Sequence, residues 1–167
     1  VYLPTNTVIS FDGGDHTYIK EGTANKLKFQ VGGGNILWLE SNKAGIGTES
    51  PMNRLQINQA GTDGDDGLLI VCSDTSISLN QKLGGIGFDS SDGNIPSSIY
   101  EASAYIAAYS SEAHGTGSKG GYLTFGTAAT GTADDTVSTE RMRITAGGNV
   151  GIGTTNPGNT KLKVIGN

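Results

Sequence analysis

The chain has 167 residues, 27 of them glycine, with 35% apolar and 16% charged residues and a formal net charge of −5. Glycine at roughly twice its usual share, without collagen's third-residue period, implies a turn-rich fold with a thin core and excludes a triple helix. With 11 basic against 16 acidic residues and no basic run, nucleic acid is not an expected partner, and no apolar stretch approaches the length of a membrane span.

Taken in chain order, the segments read as short strands separated by turn clusters, with no sustained helical stripe. The N-terminus, Val1–Ser10, lacks Met and a signal-peptide pattern, so a fragment or processed product is expected. Strands are predicted over 7–11, 17–22, 26–31 and 35–40, and another over 54–58. The Asp- and Gly-rich stretch 60–67 is a loop and a natural boundary, giving an N-terminal module 1–59 and a larger C-terminal module 60–167. Beyond it, 68–72, 76–80 and 84–88 read as strands. The lone cysteine, Cys72, inside the apolar run Leu68–Cys72, reads as a buried inert thiol and excludes an intrachain disulfide. Residues 99–110 tolerate helix, but Tyr105, Ala107 and Tyr109 alternate on one strand face in an all-β setting, so a strand is expected. Strands over 122–127, 140–144 and 161–165 complete the chain, with a polar excursion at 128–139.

One signature occurs twice. Gly45-Ile46-Gly47-Thr48-Glu49-Ser50-Pro51 returns as Gly151-Ile152-Gly153-Thr154-Thr155-Asn156-Pro157. The similarity extends outward. Leu27 and Phe29 correspond to Leu123 and Phe125, Leu37 and Leu39 to Met142 and Ile144, and Leu55 and Ile57 to Leu162 and Val164. Glycines flanking an isoleucine permit positive φ or close backbone approach while the Ile anchors in a core. The threonine hydroxyl can bond a backbone group two or three residues on, and proline stops the ladder. The motif therefore reads as a structural joint that redirects a strand. A phosphate-cradling loop is disfavoured, because no Gly-Lys-Ser/Thr and no helix follow.

Residues 140–164, "ERMRITAGGNVGIGTTNPGNTKLKV", resemble a segment of tailed-bacteriophage tail fibres and related virion appendages, and 84–127 share their strand pattern. The first copy, "KAGIGTESP", departs from that pattern: it lacks the Asn-Val start and the Arg-Met-Arg strand. The resemblance implies short-stranded, Gly-rich β modules, intertwined or sandwich-like, in a parallel homotrimeric fibre. It further implies other virion tail or fibre proteins as partners, a host-surface glycan or protein as receptor, and location in the virion after assembly in the host cytoplasm. In such fibres the motif often precedes a C-terminal intramolecular chaperone. A bacterial trimeric surface adhesin, a polysaccharide-binding or depolymerising module and a monomeric carbohydrate-binding sandwich are the alternatives.

Little in the sequence carries chemistry. His16 and His114 lie in Gly-rich loops, and no Gly-x-Ser-x-Gly elbow occurs. Asp63, Asp65 and Asp66 have the close spacing of calcium ligands without the full twelve-residue loop, and a solvated turn is the plainer reading. Asp92, Glu101 and Glu112 would need to converge to cleave a glycosidic bond. No enzyme activity, cofactor or metal is expected. Tyr105 and Tyr109, on one strand face, could touch a receptor if that face is open; packing between sheets or subunits is the alternative. Trp38 points opposite Leu37 and Leu39, either into an interface or into a second-face core.

Overall fold

The computed structural model describes residues 7–13, 16–21, 25–59, 67–91 and 95–166. Over these residues the chain is all-β, without a helix. It divides into two compact units, Val1–Leu69 and Ile70–Asn167, a boundary ten residues past the expected 59/60.

In the first unit, β1 (Val8–Ser10), β2 (Tyr18–Glu21), β3 (Lys26–Val31), β4 (Gly34–Glu40) and β5 (Lys43–Ile46) form an antiparallel meander, and β6 (Leu55–Ile57) lies beside β5 in parallel. The second unit repeats this order with β7 (Lys82–Phe88), β8 (Ala104–Ser110), β9 (Gly121–Thr127), β10 (Thr139–Ile144), β11 (Val150–Ile152) and β12 (Leu162–Val164), again with only the last pair parallel. Turn chemistry accounts for the tightest corner. Val31 pairs with Gly34 across Gly32 and Gly33, whose φ angles of +58° and +83° only glycine adopts without strain.

Cross-strand pairing aligns the two units row by row. Ile9, Ile19, Phe29, Leu37, Ile46 and Ile57 form one row across the first sheet. Ile86, Ile106, Phe125, Met142, Ile152 and Val164 form the matching row across the second. Because strand side chains alternate, Tyr18, Lys28, Trp38 and Gln56 share the opposite face of the first sheet, and Tyr105, Thr124, Arg143 and Lys163 that of the second. The buried residues sit on these opposite faces: Tyr18 and Trp38 in the first unit, Tyr100, Tyr105 and Ala107 in the second. Trp38 is thus a core residue of the second face.

Some sequence expectations fail. Leu68–Cys72 and 76–80 are not strands. The latter instead wraps the end of β8, where Asn80 N–H donates to Ser110 O at 3.0 Å and the Ser110 hydroxyl donates to Ser78 O. Cys72 is only half-buried. Residues 99–103 turn before β8 begins: Glu101 N–H donates to Ser98 O at 3.0 Å, which folds Tyr100 back over the strand. Lys43–Ile46 and Val150–Ile152, expected as part of the joint, are strands themselves.

Candidate functional site

The repeated signature builds a short parallel return. Parallel neighbours normally need a crossover of a dozen or more residues; here residues 47–54 and 153–161 suffice. They can do so because the returning loop lies directly on the sheet. A Cβ on Gly45 would overlap the Thr48 carbonyl oxygen and stand 3.4 Å from Pro51 Cδ. At Gly151 the same overlap arises with Thr154 O. Gly45, Gly151, Pro51 and Pro157 are all buried by this packing.

The second glycine opens the return. Gly47 and Gly153 have φ of +70° and +69°, and a Cβ on either would strike the carbonyl oxygen of Asn58 or Ile165 respectively. Threonine then tightens the loop: Ser50 N–H donates to Thr48 Oγ1 at 3.3 Å, and Asn156 N–H donates to Thr154 Oγ1 at 3.1 Å. The loop closes on matched bonds. Ala44 N–H donates to Arg54 O at 2.7 Å and Val150 N–H to Lys161 O at 2.9 Å, while Asn58 N–H reaches Ile46 O at 2.8 Å and Ile165 N–H reaches Ile152 O at 2.9 Å.

The isoleucines of the motif behave differently from expectation. The loop covers the face that Gly45 and Gly151 line, so Ile46 and Ile152, one residue on, point to the other face. There they remain 40% and 39% exposed, outside the core formed by the described residues. Their neighbours share that exposure: Leu55 at 59%, Leu162 at 57% and Val164 at 62%. Each sheet thus has one face packed by its own chain and one apolar face that is open at Ile9 and Ile46 or at Ile86, Ile152 and Val164 and half-buried between them.

On its packed face the second unit holds an aromatic cluster. Tyr100 and Tyr105 meet edge to face at 5.2 Å, and Tyr109 and Tyr122 stack at 5.2 Å with ring planes 3° apart. Lys82 Nζ lies 3.8 Å from the Tyr100 centroid and the Arg143 guanidinium 4.2 Å from that of Tyr122. Arg143 donates to both carboxylate oxygens of Glu140, at 2.8 and 2.7 Å. Three residues apart on a regular strand, these two would face opposite ways. A register shift between Glu140 and Met142 brings them together. Burial raises the phenols of Tyr100, Tyr105, Tyr109 and Tyr122 above the ordinary tyrosine range, and the Glu140 hydrogen bonds raise Arg143. Tyr105 is 5% exposed and Tyr109 half-buried, both packed in this cluster. Nothing in a period-two pattern signals the Glu140–Arg143 pair or the place of Tyr100, because a bulge creates the one and a folded-back turn the other.

Glu101 accepts from the Ser97 hydroxyl at 3.0 Å and Glu112 from Gly120 N–H at 2.7 Å, each satisfied locally. His114 Nε2 is 3.1 Å from Gly120 O, and His16 is exposed. Asp63, Asp65, Asp66 and Asp92 lie outside the described residues. Among the described residues, no three His, Cys, Asp or Glu side chains are grouped to hold a metal ion. Compared with known proteins, the chain matches no family model and no curated protein sequence.

Proposed function

We propose that this chain is a structural subunit of a homotrimeric tail fibre or related virion appendage, and that it contributes to host-surface attachment. The observation that carries the reading is the open apolar face of each sheet, which runs through Ile46 in one unit and Ile152 in the other. Exposed apolar patches on a sheet face mark surfaces that a partner covers.

The likeness of residues 140–164 to tail-fibre segments supplies the kind of assembly. Three identical copies would present any receptor-contacting surface three times and raise avidity for a repeated host glycan or protein.

Light scattering on the eluting native protein tests this. A mass of three chains that survives mild detergent is the expected result. A single-chain mass would overturn it and favour a monomeric binding sandwich.

A further inference from the structure

We propose that Leu68–Cys72 is a donated β-strand that completes the outer edge of β7 in a neighbouring copy of this chain. The inference rests on the assembled reading above and names which main-chain groups join the copies. Five consecutive apolar residues of high strand propensity stand here without a sheet. Among the described residues their backbone groups make no hydrogen bond. Leu69 and Val71 are 83% and 70% exposed, while Ile70 Cγ2 rests where a Cβ of Gly84 would stand. The segment is thus anchored on one side to its own β7 and bare on the other.

The acceptor follows from the inventory of edges. The outer strands β1, β6 and β12 have three residues each, whereas β7 has seven. Among the described residues its outer side has no partner strand. It carries no proline and, apart from Lys82 at its start, no charge to discourage pairing. A five-residue donor fits along it, with main-chain bonds supplying affinity as in strand addition generally. No charge lies in the donor, so a charged partner gains nothing from it, whereas a second copy supplies both halves. Donor and acceptor are different surfaces, so the contact is head to tail and closes as a ring, which suits three copies.

Hydrogen–deuterium exchange on the full native chain, run beside light scattering, tests this. In a three-chain species the amides of 68–72 are expected to exchange at least about a hundredfold slower than in the free peptide. Free-peptide exchange there, in a species of three chains, overturns the donated strand and leaves the assembly standing. A single-chain mass overturns both. Ile70→Pro and Val71→Pro, made separately because only alternate N–H groups face an acceptor, are expected to raise exchange in 82–88 about tenfold in at least one case. Unchanged exchange in 82–88 for both variants overturns β7 as the acceptor.

Discussion

At the residue scale, three glycines with nearly the same φ separate two causes of strain. Gly47, Gly153 and Gly148 have φ of +70°, +69° and +73°, but only the first two face a backbone carbonyl where a Cβ would go. Gly148→Ala should therefore cost only the left-handed penalty, about 1 kcal/mol. Gly47→Ala and Gly153→Ala must also displace the strand that follows, and should cost about 3 kcal/mol or more. Denaturant unfolding of the three variants reads the order directly, and equal midpoints would refute it. The buried phenols give a second prediction. Raised folded-state values mean that the native second unit holds these protons more tightly than the unfolded chain does. That stability is complete below about pH 10 and is lost as pH rises through the folded values. The tyrosinate absorbance of these four rings, read as the difference from a variant with all four changed to Phe, should therefore appear together with loss of strand signal, rather than ahead of it. Early, non-cooperative titration of Tyr100, Tyr105, Tyr109 and Tyr122 with the fold intact would count against the cluster.

At the element scale, the joint owes its shape to short-range chemistry, and that is why it was legible. The two glycines, the threonine hydroxyl and the proline act on groups within a few residues, so the sequence carries their roles openly. Thr48→Ala and Thr154→Ala remove the bond to Ser50 N–H or Asn156 N–H, and each should cost about 1 kcal/mol. Serine at either position keeps the hydroxyl and should restore most of it; equal losses for serine and alanine would show that the methyl, not the hydroxyl, matters. What the sequence concealed depends on distant or irregular features. Leu68–Cys72 has every local mark of a strand, but among the described residues no neighbouring strand pairs with it. Glu140 and Arg143 meet only because a bulge breaks the alternation by which strand faces are assigned. The isoleucines of the joint were expected in a core because apolar side chains between glycines ordinarily pack inward. Their exposure follows from the crossover, which occupies the other face of the sheet.

At the scale of the whole molecule, stability and assembly are expected to be one quantity. Among the described residues each unit buries only a small core of its own: two large side chains in the first and the tyrosine cluster in the second. The open rows through Ile46 and Ile152 hold the apolar area that would add to this, at about 25 cal/mol for each Å² covered. If copies of the chain cover those rows, folding is linked to association by mass action, and the thermal midpoint must rise with protein concentration. Hundredfold dilution should lower it by several degrees. Ile46→Asp and Ile152→Asp sharpen the test, since each places a charge on a row that is two-fifths exposed in the single chain. The isolated units should tolerate that charge, whereas a covered interface should not. The expected result is a single-chain mass with strand content retained and a midpoint that no longer depends on concentration. A double variant that keeps a three-chain mass would show that the copies meet through other surfaces, and an original chain whose midpoint ignores dilution would remove association from the account of its stability.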